Sequence, residues 1–483
     1  MSDFTFFWHD YETFGRVPRR DRPAQFAGIR TDADLNEIGS PVMHYCQPAP
    51  DYLPDPEACL LTGILPQTCL ERGLPEHAFA KAIEHELAQP ATVGVGYNSI
   101  RFDDEVTRHL FWRNLLDPYA REWQNQCGRW DLLDVVRCTW ALRPEGIAWP
   151  QHEDGRPSFK LEHLTAANGL SHEAAHDALS DVRATIALAR LIKHKQPKLW
   201  DFCLKLRKKE AVLAEIGVGR PFIHVSGMFP VERGCLGVVW PLAPHPSNKN
   251  EIIVWDLAHD PAELFDLSAD EIRQRLFAKA QDLPEGTGRL PIKSIHINKS
   301  PIVIGNLKTL NPAVVARWSL NIEQALRHAE LAMLKGHTMA GIWPEVYARP
   351  QPDQAPDVDE DLYGGFVCTD DRHILQALKA LTPEQLAERV VQRPPVFEDE
   401  RLDELLFRYR ARNHPGTLSE SEQQRWVALR IRRLHEGQYG GLSLVAFFER
   451  IDALGEALPD TDERGQDILG ALYDYAEQIA PAP

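Results

Sequence analysis

The residues best suited to chemistry in this chain are acidic. In Phe4-Thr5-Phe6-Phe7-Trp8-His9-Asp10-Tyr11-Glu12-Thr13 an extended backbone places Phe4, Phe6, Trp8, Asp10 and Glu12 on one face. Three large apolar side chains therefore lead directly into two carboxylates. Like charges side by side in apolar surroundings are costly unless cations neutralise them, and hard divalent ions with oxygen ligands do so. The alternative is a strand end running into solvent with both acids hydrated, and this segment alone leaves both readings open. Asp103 follows an apolar run and Gly96-Tyr97-Asn98, at the expected start of a helix, where a carboxylate can equally be a cap. His176 and Asp181 flank the start of another helix, in Ala175-His176-Asp177-Ala178-Leu179-Ser180-Asp181. Residues five apart on a helix point about 140° apart, so a shared site requires His176 in the loop just ahead of it.

The elements that must position these groups are legible as an alternation of strand and helix patterns over the first 190 or so residues, an α/β layer signature. Strands are expected at 4–12, 25–31 and 41–47, joined by short links as an antiparallel meander, with a buried strand at 92–97 between helices at 76–88 and 103–116. Leu179, Val182, Ile186 and Ala189 recur at three- and four-residue steps and predict a long amphipathic helix from Ala178. Short β-rich runs at 221–225, 237–242, 251–257, 292–297 and 301–304, interrupted by a helix near 268–280, predict a small barrel or sandwich. The Pro- and Asp-rich stretch 350–361 reads as a linker. Its Asp357-x-Asp359-x-Asp361 resembles the start of a calcium loop, but Leu362 stands where the turn requires Gly. From about 370 the pattern is helical.

With 483 residues, 43% of them hydrophobic, and a formal net charge of −17, the chain is expected to be a globular protein of about three domains. No run reaches the roughly 18 apolar residues of a membrane span, so no membrane association is expected. The eight cysteines form no Cys-x-x-Cys pair, which argues against a zinc knuckle or disulfide scaffold and fits a reducing cytoplasm. Against the acidic balance, eight Lys and Arg between Arg190 and Lys209 face one acid, Asp201. That stretch is either a solvated helix face or, with Trp200 and Phe202 inside it, a basic groove with stacking platforms for single-stranded nucleic acid. Phe407-x-Tyr409 with its neighbouring arginines has the same composition.

Taken in order, Asp10-x-Glu12, Asn98-x-x-x-Phe102-Asp103 and His176-x-x-x-x-Asp181 resemble the three motifs of the DEDDh exonucleases, and Thr62-Gly63-Ile64 resembles a turn between the first two. The wider chain resembles the bacterial exonuclease I family. Matching stretches include Asp21-Arg22-Pro23-Ala24-Gln25-Phe26-Ala27, Leu142-Arg143-Pro144-Glu145-Gly146-Ile147, His224-Val225-Ser226-Gly227-Met228-Phe229 and His296-Ile297-Asn298-Lys299. The likeness spans essentially the whole chain, with no departure at the catalytic positions.

The resemblance implies an RNase H-like mixed-sheet exonuclease domain (1–196), an SH3-like β-barrel domain (197–349), and a linker with an α-helical C-terminal domain (350–483). It implies a cytoplasmic, processive 3′→5′ exodeoxyribonuclease that degrades single-stranded DNA to 5′-mononucleotides in repair and recombination, as a monomer clamped around the strand. Two Mg2+ ions, with Mn2+ as substitute, are expected on hard oxygen ligands. Asp10, Glu12 and Asp181 would hold the first, Asp10 would bridge to the second with Asp103 nearby, and His176 would be the general base. Expected DNA contacts are Arg108, Arg143, Lys205 and Trp200. The acidic C-terminal tail of single-stranded DNA-binding protein is the expected partner, with Arg220 at its site. Asp104 and Asp177 are the register alternatives to the catalytic acids, and Asp131 and Asp134 are either helix caps or supports for the metal ligands. Other readings are a ribonuclease, a non-catalytic single-strand-binding scaffold, or a phosphomonoesterase acting at strand ends.

Overall fold

The computed structural model describes residues 4–171, 177–217, 219–339, 341–348, 356–459 and 461–482. Their contacts form two compact units, one drawn from Met1–Cys127, Glu173–Arg183 and Gln354–Pro483 and the other from Gly128–His172 and Ala184–Asp353. Among the described residues, no helix is long and apolar enough to cross a membrane.

In the first unit the sheet runs β3-β2-β1-β4, formed by β1 (Thr5–Thr13), β2 (Pro23–Thr31), β3 (Glu37–Tyr45) and β4 (Thr92–Gly96). β1 pairs antiparallel with β2 and parallel with β4, so the sheet is mixed. β3 begins four residues earlier than its apolar pattern indicates, because the Asp32 carboxylate accepts from the amides of both Asp34 and Asn36 and closes the turn quickly. Helices α1 (Glu76–Leu87) and α2 (Asp103–Arg113) cover one sheet face, with Phe7, Tyr11 and Phe26 meeting Phe79, Ile83, Leu110 and Phe111. α2 ends at Arg113 rather than near 116, where Leu115 takes a left-handed conformation. Helix α3 (Ala178–Lys195) follows the predicted apolar stripe.

The C-terminal helices α4 (Arg401–Asn413), α5 (Glu420–Leu434), α6 (Leu444–Ala457) and α7 (Glu463–Ile479) belong to this same unit. Phe14, Tyr52, Leu53 and Cys69 share one apolar cluster with Leu434, Phe447, Leu472 and Tyr475. A buried ionic cluster reinforces it. Arg412 Nη2 lies 2.8 Å from Asp51 and 2.5 Å from Asp359, Arg408 Nη1 lies 2.8 Å from Asp357, and Arg433 Nη2 lies 2.8 Å from both Asp357 and Asp359. The side chains of Asp51, Asp357 and Asp359 are at most 3% exposed. The stretch expected to be only a linker thus has its described end, from residue 356, folded into the interior.

The second unit opens with a short strand, β5 (Gly128–Asp131). Its own sheet is antiparallel in the order β10-β6-β7-β8-β9, built from β6 (Phe222–Val225), β7 (Leu236–Pro244), β8 (Glu251–Asp256), β9 (Ile292–His296) and β10 (Ile302–Ile304). The predicted helical interruption is Ala269–Phe277, started by a capping box from Ser268 to Glu271.

Burial pushes the Asp51 and Asp359 carboxyls up, but Arg412 and its neighbours outweigh it and hold both below the usual carboxylate range. A depressed carboxylate contributes stability that is present above its unfolded pKa of about 3.9 and is lost as pH falls. Arg412→Met is expected to cost about 3–5 kcal/mol at pH 7 by leaving buried acids without their main partner. Urea unfolding from pH 8 to 3 should show the gap to wild type narrowing below about pH 4.

Candidate metal-dependent active site

The register of β1 sets the site. Its parallel pairing with β4 ends at Trp8 opposite Val95, whereas its pairing with β2 continues through Asp10 opposite Ala27 and Glu12 opposite Gln25. Past Trp8, β1 therefore has no partner strand on its β4 side among the described residues of this unit, and both carboxylates sit on that overhang. Beyond β4 the chain turns sharply. A Cβ on Gly96 would fall 2.7 Å from Ser99 Cβ and 2.9 Å from the His9 carbonyl oxygen, so glycine alone fits there, and Asn98 takes a φ of +63°. This turn starts α2 beside the overhang, where the Tyr11 amide donates to Asp103 Oδ1 at 3.1 Å.

Carboxylate oxygens of Asp10, Glu12 and Asp181 lie within 4.8 Å of one another. Asp181 is in the first turn of α3. Glu12 and Asp103 are buried, and Asp10 and Asp181 are half-buried. Burial and then the charges of Asp103, Glu12, Asp181 and Asp177 hold the Asp10 carboxyl well above its usual range. Burial, then Asp181 and Asp177, push Glu12 up to about 8. Repulsion of this kind with only oxygen donors fits a hard divalent cation. His176 lies outside the described residues.

The register alternatives have structural employment. Asp104 is ion-paired with Arg121 at 2.5 Å. Asp177 caps α3, accepting from the Ser180 amide at 3.2 Å and from Gln25 Nε2 at 3.3 Å. In the second unit Asp131 caps the helix Leu132–Leu142 and Asp134 pairs with Arg137 at 2.7 Å.

Two expected DNA contacts are corrected by their burial. Trp200 is 1% exposed and meets Trp130 edge-on at 4.8 Å between ring centroids, so its ring belongs to the core and offers no face for stacking. Arg108 is 5% exposed, with Nε and Nη2 on Glu122 at 2.7 and 2.8 Å and Nη1 on Glu105, so its fork is spent inside the protein. Phe407 and Tyr409 are likewise buried. Lys205 is exposed and Arg143 half-buried, while Arg220 is exposed with Nη2 donating to the Ala214 carbonyl at 3.0 Å. The arginines beside Phe407 and Tyr409, whose composition suggested a nucleic-acid surface, include Arg408 and Arg412, which instead pair with Asp357 and Asp359 inside the protein. Their four-residue spacing puts both on one helix face, and Asp357-x-Asp359 offers two acids at strand spacing as their complement.

Residues 7–189 match a family described as exonuclease, 207–349 the exonuclease I SH3-like domain, and 356–479 the exonuclease I C-terminal domain. The chain is 44% identical to exodeoxyribonuclease I of Escherichia coli over 478 residues, 98% of each chain. The structure of an exonuclease I from Methylocaldum szegediense superposes with a TM-score of 0.93 at 48% identity, covering 99% of both chains. That of E. coli exonuclease I in complex with a dA16 oligonucleotide gives 0.93 at 43%, covering 99% of this chain and 100% of the other.

If the acids repel as described, Mg2+ or Mn2+ at a hundredfold excess over its dissociation constant should stabilise wild type by about 2.7 kcal/mol. Asp10→Asn removes one repelling charge, so the metal-free variant should melt no lower than wild type and lose most of the metal-induced rise in Tm. Thermal melts in EDTA and in each metal check both expectations.

Proposed function

We propose that this chain, which belongs to the exonuclease I family, removes nucleotides one at a time from the 3′ end of single-stranded DNA and releases 5′-mononucleotides. The observation that carries the reading is the convergence of Asp10, Glu12 and Asp181 within 4.8 Å at the overhanging end of β1, with Asp103 bonded to the same strand. The relative crystallised with a dA16 oligonucleotide supports single-stranded DNA as the substrate.

Two Mg2+ ions held by Asp10, Glu12, Asp103 and Asp181, with Mn2+ as substitute, would supply positive charge for the phosphorane and the leaving 3′-oxyanion and would acidify the attacking water. The four carboxylates fix where that charge sits, since β1, α2 and α3 hold them before substrate arrives. His176 is proposed to take the proton of the attacking water as general base, an assignment supported by its place five residues before Asp181 and by the unperturbed imidazole pKa of about 6.5 that suits histidine to this role.

Lys205 and Arg143 remain the proposed phosphate contacts and Arg220 the proposed contact for the acidic tail of single-stranded DNA-binding protein. The proposed bounds of the catalytic, SH3-like and helical parts are 1–196, 197–349 and 350–483. The enzyme is proposed to act processively as a cytoplasmic monomer in DNA repair and recombination.

A gel time course with a 5′-labelled single-stranded DNA oligomer tests the reading. It predicts a Mg2+-dependent ladder shortening from the 3′ end, abolished by EDTA, with duplex DNA and RNA spared. His176→Ala should lower the rate by roughly 10²–10⁴-fold. A labelled strand left intact by wild type under every condition overturns the proposal.

A further inference from the structure

The face of β1 opposite the metal ligands carries a second buried polar group. His9 and Tyr11 alternate with Asp10 and Glu12, so they point away from the site. His9 is 2% exposed and stacks on Phe26, and burial first, then Arg121, pushes its pKa down to about 3, which keeps it neutral. Beside it lies the Arg121–Asp104 pair, 2.5 Å apart, with side chains 1% and 2% exposed. Asp104 immediately follows the ligand Asp103 in the first turn of α2, a turn whose N-cap Phe102 offers no side-chain acceptor.

The start of α2 is tied to β1 at two points and to the turn after β4 at a third. The Tyr11 amide donates to Asp103 Oδ1 at 3.1 Å, and Thr107 Oγ1 lies 2.8 Å from the Asp103 carbonyl oxygen and 3.0 Å from the Tyr11 hydroxyl. The Asp104 amide donates to the Ser99 carbonyl at 2.8 Å. Arg121 Nη2 donates to Asp104 Oδ1 at 2.5 Å, and the Arg121 Nε and Nη1 have no protein partner among the described residues. Glycine on β4 leaves it room, since a Cβ on Gly94 would lie 3.2 Å from Arg121 Nη1 and 3.5 Å from His9 Nε2.

We propose that Arg121 is a positioning residue for metal binding: by pairing with Asp104 it fixes the first turn of α2 and so sets the Asp103 carboxylate against Asp10. Nothing in this role requires Arg121 to touch substrate or ion. The guanidinium anchors the Asp104 side chain, 2% exposed, inside the protein, and a carboxylate that loses this anchor has to rotate toward solvent, which moves the residue next to Asp103. The inference rests on the carboxylate cluster being the metal site proposed above, so its test must separate the two.

Calorimetric Mn2+ binding, the Mg2+ midpoint of activity on single-stranded DNA, kcat and KM, and thermal melts are to be measured for wild type, Arg121→Met, Arg121→Lys, Asp104→Asn, the Arg121→Met/Asp104→Asn double variant and Gly94→Ala. Arg121→Met is expected to weaken Mn2+ binding and raise the Mg2+ midpoint about tenfold, with kcat reduced and KM within twofold of wild type. The double variant is expected to be no worse than Arg121→Met, because both substitutions break one link. Gly94→Ala presses on the guanidinium from β4 and is expected to shift the Mg2+ midpoint in the same direction by a few fold, which keeps the test open if Arg121→Met does not fold. Arg121→Lys is expected to recover part of the loss. Activity that falls only with the folded fraction, at an unchanged Mn2+ affinity, overturns the proposal, as does a double variant whose defect is the product of the two single ones. Absence of Mn2+ binding in wild type instead overturns the metal-site reading itself.

Discussion

Mutual repulsion among carboxylates is the constraint that the catalytic unit is built to withstand. Asp10, Glu12, Asp103 and Asp181 come from one strand and two helices, and without a cation each raises the cost of ionising its neighbours, as the upward shifts at Asp10 and Glu12 record. A flexible scaffold would relax by moving them apart. This one resists because β1 is a central strand, bonded on both sides through Trp8, with Phe6, Phe7 and Trp8 at most 1% exposed. Burying such side chains contributes about 1.5–3 kcal/mol each, which offsets the electrostatic cost where the strand overhangs. In the proposed reaction the acids are thus preorganised for charge arriving with substrate and ions, the arrangement that makes electrostatic stabilisation of a transition state effective.

The same unit contains the opposite solution to buried acids. Asp51 and Asp359 are more deeply enclosed than Asp10, yet their pKa values move down, because Arg412, Arg408 and Arg433 lie against them. Arginine-paired acids tie the C-terminal helices to the loop that carries Asp51, whereas the oxygens gathered at Asp10, Glu12 and Asp181 form a cluster suited to a divalent cation. Asp103 and Asp104 show the contrast in adjacent residues, one turned to the ligand cluster and the other paired with Arg121.

The strand-borne pair Asp10 and Glu12, the helix starts at Asp103 and Ala178 and most strand positions were legible because each depends on local periodicity and on one chemical fact, that like charges need a cation. Trp200 and Arg108 were misread for a shared reason. Composition marks an aromatic or an arginine as able to bind nucleic acid, but only the tertiary partners, Trp130 for one and Glu122 for the other, decide whether that capacity faces outward. The ionic role of Asp357 and Asp359 was hidden likewise, since their arginines lie some fifty or more residues away on α4 and α5. Arg121 stood outside every motif, and its link to the site runs through a neighbour of a ligand rather than a ligand.

The most direct test of the account is anomalous diffraction from crystals grown with Mn2+. The account predicts manganese in contact with oxygens of Asp10, Glu12 and Asp181, and a second ion on the side of Asp10 that faces Asp103. Crystals in which these four carboxylates hold no manganese, while the ion binds elsewhere on the chain or nowhere, would contradict it.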